Sequence, residues 1–374
     1  MFDENQCAPH ALDCIFSVQT GLAWGAAIMK TRFLIVISSV ALVMPLAAVG
    51  QSGLMQSAQK LFKPIPSQPP AIKAIRSTPL RVEIGTQLYF DPRLSESHAI
   101  SCNACHRIGL GGVDVQETSI GHRWQRGPRN APTVLNAVFN TAQFWDGRAK
   151  DLEQQAGGPL LNPIEMGTSE AHVVEQLKGI PGYVSEFHRA FSGEKDPVTF
   201  KNVRDLIALF EATLITPDAP FDRYLRGDEK ALDAQEKRGL QAFINKGCAS
   251  CHNGINIGGN RYAPFGVVEK PGARFLPPND HGRFAVTKTV SDEYVFKVPT
   301  LRNIALTRPY FHSGKAWSLR QAVAVMGSSQ LGITLTAQEV DDITAFLHAL
   351  TGKQPQVVYP VLPPSVSSTP RPNP

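Results

Sequence analysis

The segments Cys102-Asn103-Ala104-Cys105-His106 and Cys248-Ala249-Ser250-Cys251-His252 decide the fold of this 374-residue chain. Both have the pattern Cys-x-x-Cys-His. This pattern is typical of c-type haem attachment, in which two cysteines form thioethers to the porphyrin and the following histidine ligates the iron. We therefore expect two covalent haems, with the four cysteines of these segments as attachment points and His106 and His252 as iron ligands.

Two other uses of paired cysteines are less consistent with the pattern. A structural disulfide across a two-residue gap is unfavourable, and neither a disulfide nor a redox pair explains the adjacent histidine. A zinc site would need four ligands in one place, whereas the two motifs lie far apart in the chain. Covalent haem is the interpretation that uses all six side chains.

Composition excludes several classes of protein. Hydrophobic residues make up 43% and charged residues 18% of the chain, with a net charge of +5, so sizeable cores can form and general disorder is excluded. The basic residues form no block, which argues against nucleic acid as a partner. A single long apolar stretch, near the amino terminus, excludes a polytopic membrane protein.

That apolar stretch has the features of an export signal. Met29-Lys30-Thr31-Arg32 provides a positively charged start, residues 33–46 are apolar, and Ala48-Val49-Gly50 provides small residues for cleavage. We expect a signal peptide at about residues 29–50, preceded by an upstream extension that contains Cys7 and Cys14. The alternative is an uncleaved anchor, for which the stretch is short. The mature chain is thus expected to be exported and not inserted in a membrane.

Amphipathic helices flank both haem motifs. Pro79 is expected to begin the helix before the first motif, and Asp233 with Glu236 forms a capping box for the helix before the second. Each half also closes with a helix. The closing helices have apolar faces formed by Val203, Leu206, Ile207, Phe210 and Leu214 in the first half, and by Val340, Ile343, Phe346, Leu347 and Leu350 in the second, where Thr336 and Glu339 form the cap.

The repeated order of helix, haem motif, long loops and closing helix predicts a mainly α fold with two tandem cytochrome c-like domains. The boundary is placed in Thr216-Pro217-Asp218-Ala219-Pro220, a segment that breaks helices. The resulting divisions are residues 1–50 for the extension and signal, 51–75 for an amino-terminal extension, 76–215 and 216–353 for the two haem domains, and 354–374 for the tail.

Two further segments carry weaker predictions. Residues 283–287 and 294–298 are expected to pair as a short β-hairpin, because both are rich in β-branched and aromatic residues. The tail is rich in Pro and Ser, and its composition alone predicts disorder.

The ligand on the opposite side of each iron determines what the haem does. A methionine raises the reduction potential, a second histidine lowers it, and an open position permits chemistry on small molecules. Met326 lies on a helix that we expect to be capped by Ser318 and Gln321 and to end at Gly327. From the residues alone, Met326 fits a core position and an iron ligand equally well. His122 lies in a polar, cationic loop that two glycines flank.

Beyond the haem motifs, five segments carry more specific information. They are Phe90-Asp91-Pro92-Arg93-Leu94-Ser95, Asn130-Ala131-Pro132-Thr133, Phe144-Trp145-Asp146-Gly147-Arg148, Asn162-Pro163-Ile164-Glu165-Met166 and Pro309-Tyr310-Phe311-His312-Ser313-Gly314. With the haem motifs at this separation, they make the chain resemble the bacterial di-haem cytochrome c peroxidases from about Leu61 to the Pro-rich end. The resemblance implies a periplasmic location and a tail that packs on the first domain.

The resemblance also implies a role for individual residues. His106 would hold a low-potential, peroxidatic haem, whose iron His122 would block in the resting oxidised enzyme. His252 and Met326 would ligate a high-potential haem that transfers electrons. Trp145 would lie between the haems, and Glu165 and Gln155 would lie over the peroxide site. Asn130, Thr307 and Pro309 would be ligands of a Ca²⁺ at the domain interface, the last two through backbone carbonyls.

Together these roles describe an enzyme that reduces H₂O₂ to water. Electrons would come from a small redox protein, either a soluble cytochrome c or a cupredoxin, and relatives suggest a Ca²⁺-linked homodimer. Reduction of the high-potential haem would release His122 from the peroxidatic iron, and Glu165 would shuttle the proton. One alternative is a di-haem electron-transfer cytochrome without peroxidase activity. Another is a di-haem oxidase of the same superfamily, in which Tyr replaces Met326.

Overall fold

The computed structural model describes residues 52–72 and 75–374, so the expected signal peptide and upstream extension lie outside the described residues. The described part is mainly helical. Its helices are α1 (Gly53–Leu61), α2 (Pro79–Phe90), α3 (Cys102–Cys105), α4 (Leu152–Leu161), α5 (Glu170–Lys178), α6 (Pro181–Ala190), α7 (Phe200–Ala212), α8 (Pro220–Leu225), α9 (Ala234–Asn245), α10 (Phe284–Thr287), α11 (Leu319–Leu331) and α12 (Ala337–His348). Among these helices, none is long and apolar enough to cross a membrane.

In the first half, residues 76–215, the core forms around the contact between α2 and α7. A Cβ atom at Gly85 would overlap with the carbonyl oxygen of Leu206, so glycine allows the two helices to approach closely. Tyr89 and Phe210 meet edge to face across this contact, with ring centroids 5.1 Å apart. The predicted start of α2 at Pro79 is confirmed.

The second half, residues 216–353, repeats this arrangement with α9 and α12. A Cβ atom at Gly239 would overlap with the carbonyl oxygen of Asp342, so this pair also crosses at a glycine. The predicted capping boxes are confirmed for both helices. Each half therefore joins the helix before its haem motif to its closing helix, and the motif and loops lie between them in sequence.

A two-stranded antiparallel sheet pairs β1 (Tyr262–Pro264) with β2 (Val295–Lys297). The second strand of the predicted hairpin lies where the sequence predicts it, but the prediction of its first strand is wrong. Residues 284–287 form α10 instead. The backbone N–H of Arg283 donates to the Val295 carbonyl at 2.7 Å, and the next N–H groups bond within their own turn. The segment thus meets β2 at one bridge only.

The tail, residues 354–374, contacts the first half at several points, in contrast to the disorder that its composition alone predicts. Arg93 donates to the Pro363 carbonyl and the Ser365 hydroxyl, both at 2.9 Å. The Tyr359 ring lies 4.8 Å from the Phe90 ring. The Thr369 hydroxyl donates to the Gly179 carbonyl at 2.7 Å.

A buried ion pair ties the segment after α1 to the second half. Arg302 and Asp222 are 2.8 Å apart, and neither side chain is exposed. Arg302 also donates to the carbonyl oxygens of Lys63 and Ile255, while Asp222 accepts from the backbone N–H of Ile65. Each buried charge is therefore stabilised by the other and by backbone groups that are distant in sequence.

We expect Arg302→Leu to destabilise the second half by about 3–5 kcal/mol, because it leaves the Asp222 carboxylate buried without its cation. The shift in the midpoint of guanidinium denaturation of the holoprotein measures this loss. Arg226→Leu is the matched control, since its ion pair with Asp218 is exposed and such pairs contribute about 0–1 kcal/mol. Equal effects of the two substitutions would contradict the prediction.

Candidate functional site

The first Cys-x-x-Cys-His motif borders a cavity of about 610 Å³, which we call the first cavity. Its cysteines lie in the single turn of α3, and the backbone N–H of His106 donates to the Cys102 carbonyl at 3.0 Å. This turn brings Cys102, Cys105 and His106 to one wall of the cavity. The arrangement is the one that attachment of a single porphyrin at three neighbouring points requires.

The second motif borders a second cavity of about 360 Å³. Cys248, Cys251 and His252 line it, together with Met326. Met326 does not end its helix as the sequence predicts: α11 continues to Leu331 and ends before Gly332, and the Ser318 side chain forms no capping hydrogen bond. Gly327 is accommodated within the helix, and Met326 still faces the cavity.

Both motif histidines are held for metal ligation through Nε2. Nδ1 of His106 lies 3.0 Å from the Pro132 carbonyl, and Nδ1 of His252 lies 3.2 Å from the Ile257 carbonyl. A carbonyl can only accept, so Nδ1 carries the proton and Nε2 retains its lone pair. Burial lowers the pKa of His106, and lowers that of His252 to about 4, which keeps both rings neutral. These residues fit a c-type haem in each cavity.

The structure also shows whether the cysteines are placed to form disulfides or to bind a metal ion. All four cysteines of the described residues are free thiols and form no disulfide. Within residues 52–72 and 75–374, no group of three or more His, Cys, Asp or Glu side chains is placed to hold a metal ion.

The two cavities share a wall. It consists of Asn130, Ala131, Pro132, Thr133, Phe144 and Trp145, which line both. The Trp145 indole donates to the Asn130 carbonyl at 2.9 Å, and its own carbonyl accepts from the backbone N–H of Lys297. Trp145 is thus fixed between the cavities by both halves of the chain.

Glu165 and Gln155 both line the first cavity. Gln155 lies on α4, and Glu165 lies in the turn that follows this helix. Nδ2 of Asn162 donates to Oε1 of Glu165 at 2.8 Å. Burial raises the pKa of Glu165, while Arg148 and the Asn162 hydrogen bond act in the opposite direction. Glu165 is therefore a carboxyl group beside the first cavity that retains a proton to higher pH than an ordinary glutamate.

His122 is buried but is not among the residues that line the first cavity. Its backbone N–H donates to the Glu165 carbonyl at 2.8 Å, and its ring packs against Gly167, where a Cβ atom would lie 2.8 Å from Cδ2. Nδ1 is buried without a hydrogen-bond partner. The loop after it is strained, because Arg123 and Trp124 both have φ near +60°.

Asn130, Thr307 and Pro309, the expected Ca²⁺ ligands, all line the second cavity. The Asn130 side chain donates through Nδ2 to the Gln116 carbonyl at 2.8 Å, so Oδ1 is the atom of this side chain that can accept. The three residues are far apart in sequence but line the same cavity, and each contains an oxygen atom.

Arg148, Glu211 and Lys297 are charged residues of the cavities to which the sequence analysis gave no role. Arg148 and Glu211 line the first cavity, and Lys297 lines the second. A recognisable feature was available for two of them. Glu211 interrupts the apolar run of α7, and Lys297 lies between Phe296 and Val298, so each is a charged residue inside an apolar segment.

Comparison with known proteins gives a consistent result. The model of the di-haem cytochrome c peroxidase family matches residues 79–230, and that of cytochrome c matches residues 236–351. The cytochrome c551 peroxidase of Pseudomonas aeruginosa is 57% identical over 85% of this chain and 92% of its own length. The enzyme of that name from Nitrosomonas europaea is 50% identical over 78% of this chain and 86% of its own.

The similarity extends to solved structures. A MauG-like protein associated with microbial copper homeostasis superposes with a TM-score of 0.69, at 28% identity, over 78% of this chain and 94% of its own. The predicted fold class, two tandem cytochrome c-type domains that are mainly helical, is confirmed. With its two haem c groups, the protein is an oxidoreductase of the cytochrome c peroxidase type, and the chain belongs to the di-haem cytochrome c peroxidase family.

Proposed function

We propose that this peroxidase reduces H₂O₂ at the first cavity, receives electrons through the second, and uses His122 to control access to the first haem. One observation carries the proposal: Glu165 and Gln155 line the first cavity, while His122 lies outside its lining. This is the arrangement expected of the active form, with the histidine withdrawn. In the resting form, His122 would be a second ligand of the haem iron that His106 holds.

Reduction of H₂O₂ to two water molecules consumes two electrons and two protons. The haem supplies the electron-transfer chemistry of the site. Glu165 accepts a proton from one peroxide oxygen and returns it to the other, through the carboxyl oxygen that Asn162 does not occupy. Gln155 holds the substrate by hydrogen bonds. The raised pKa of Glu165 supports this role, because it makes the carboxylate a better proton acceptor than an ordinary glutamate.

The strained loop supports a two-state role for His122. Consecutive left-handed residues such as Arg123 and Trp124 are held only by the surrounding contacts. The Trp124 side chain is 86% exposed, so it contributes little packing that would hold the loop in place. His252 and Met326 would hold the second haem, and reduction of that haem would bias the loop towards release.

The electrons follow a route through the shared wall, with Trp145 as the relay. A small exported redox protein delivers them one at a time to the second haem. Two relatives are named cytochrome c551 peroxidases, which favours a small soluble cytochrome c as donor, with a cupredoxin as the other candidate. This assignment is consistent with a periplasmic protein whose signal peptide spans about residues 29–50.

We further propose that Asn130, Thr307 and Pro309 bind Ca²⁺ and that the cation links dimer formation to the active state. Oxygen ligands of this kind suit a hard cation. Asn130 also lies in the shared wall, so a cation there would fix the loop that follows His122. The proposal thus connects metal binding to the conformation of the first cavity.

Removal of Ca²⁺ with a chelator should convert the homodimer to monomers in sedimentation velocity. Readdition of Ca²⁺ should restore the dimer, whereas Mg²⁺ should not, because Mg²⁺ requires a tighter octahedral shell. A dimer that persists after chelation would refute the link between calcium and assembly.

We expect His122→Gly to be active towards H₂O₂ without prior reduction, because the first iron then has no protein ligand to release. Initial rates of the fully oxidised and half-reduced enzymes provide the measurement. His188→Ala, which removes an exposed histidine of α6, should still require reduction. A His122→Gly enzyme that remains inactive until reduced would rule out His122 as the gate.

Glu165→Gln should lower kcat by about 10²–10⁴-fold, the usual contribution of a positioned acid–base group. The haem spectra should not change, since the substitution preserves the shape of the side chain. Glu170→Gln, at an exposed position of α5, is the control and should keep full activity. An unchanged kcat for Glu165→Gln would assign the proton transfer to another group.

A di-haem electron carrier is the alternative function. It predicts no consumption of H₂O₂ by the holoprotein in any redox state, with or without Ca²⁺. Turnover by the half-reduced enzyme would therefore exclude it.

A further inference from the structure

Glu211 is a buried acid that the proposed mechanism does not use. It lies on α7, is 4% exposed and lines the first cavity. Its Oε2 atom is buried without a hydrogen-bond partner. The titratable groups that face it are Glu153 from α4, Tyr89 from α2 and Cys102 from α3. None of these groups is a cation, so nothing in this part of the structure neutralises a charge on Glu211.

Lys297 is a buried base in the lining of the second cavity. It lies on β2, is 6% exposed and lines that cavity. Its backbone N–H donates to the Trp145 carbonyl at 2.7 Å, which fixes the strand. Burial alone shifts its pKa, and no charged group takes part. Within the described residues, the ammonium group has no acidic partner.

The two cavities therefore contain uncompensated ionisable groups of opposite sign. A buried charge acts over several ångströms with little screening, because the protein interior has a low dielectric constant. Each haem gains one negative charge when it is reduced. A nearby carboxylate disfavours that change, and a nearby ammonium favours it.

We infer that Glu211 and Lys297 separate the reduction potentials of the two haems, with Glu211 lowering the first potential where it is ionised and Lys297 raising the second. The inference rests on the proposed function in one respect, that the first haem is the low-potential one. Both residues act on the haems through their charge and neither touches the substrate, so they are positioning residues.

The ionisation of Glu211 gives the inference a pH dependence. Burial, together with the neighbouring Glu153, raises the pKa of Glu211 to about 8. When an electron from the donor reaches the first haem, the carboxylate of Glu211 takes up one proton from solvent, so the added charge is balanced. The first potential must then fall as the pH rises through the pKa of Glu211.

Lys297 acts at neutral pH. Burial lowers its pKa to about 8, so most of the side chain is still protonated at pH 7. The facing residue in the sheet register is Tyr262, and the other neighbour is the Trp145 carbonyl. The ammonium therefore favours reduction of the second haem under the conditions in which the donor acts.

Spectroelectrochemical titration of the holoprotein between pH 6 and pH 9, followed at the absorption bands of each haem, tests the inference. The native first potential should fall with rising pH. Glu211→Gln should abolish this fall and give a higher first potential at pH 9. Lys297→Met should lower the second potential at pH 7. Glu175→Gln and Lys230→Met, which remove exposed charges from the same halves, should change neither potential.

The inference is overturned if Glu211→Gln keeps the pH dependence, or if Lys297→Met leaves the second potential unchanged. If Glu211→Gln does not incorporate haem, the native protein still decides, because a first potential independent of pH excludes the role of Glu211. No peroxide is present in these titrations. An electron carrier without peroxidase activity would show the same shifts, so failure of the inference and failure of the proposed function are separate results.

Discussion

The hydrogen bond from Nδ1 of each motif histidine to a backbone carbonyl is the constraint on which the two sites depend. It fixes the tautomer that leaves Nε2 as the iron ligand. It also fixes the loops that supply the carbonyls, at Pro132 and at Ile257. Pro132 belongs to the wall that both cavities share. The loop that orients His106 therefore also sets the separation between the two haem sites.

The long loops can hold the haem-site residues in place because the helices around them are closely paired. In each half, two helices cross at a glycine where a Cβ atom would overlap with a backbone oxygen, at Gly85 and at Gly239. Such close crossings leave little freedom for the helix that precedes each haem motif. Further side-chain bonds join the loops to one another, as when Nδ2 of Asn256 donates to the Asn136 carbonyl and to Oδ1 of Asn140.

The features that the sequence predicts well are local. The capping boxes and apolar faces of α9 and α12 depend on residues three or four positions apart, and both helices form where expected. The strand at 283–287 and the end of α11 at Gly327 were predicted wrongly, because tertiary contacts override local preference there. A glycine stays inside a helix when its neighbours pack around it, and a β-rich segment turns into a helix after a single bridge to β2.

The site residues also divide into those that local sequence patterns predict and those that they do not. The motif cysteines and histidines are recognisable because the covalent chemistry fixes their spacing. Trp145, Glu165 and Asn130 required a resemblance to a family, since no spacing rule connects them to the haems. Neither spacing nor resemblance predicted a role for Glu211 and Lys297. A charged residue in an apolar run can be assigned a role only when the structure shows the cavity beside it and the absence of a counter-charge.

Axial ligands are one source of the difference in potential between the two haems. If His122 leaves the first iron on activation, the ligand that lowers the first potential is lost at the moment when electrons must move in one direction. A buried charge on α7 or β2 does not move with the His122 loop, because both elements belong to the fixed parts of the fold. Lys297 at neutral pH, and Glu211 where it is ionised, would thus maintain the bias between the haems in the form that reacts with peroxide.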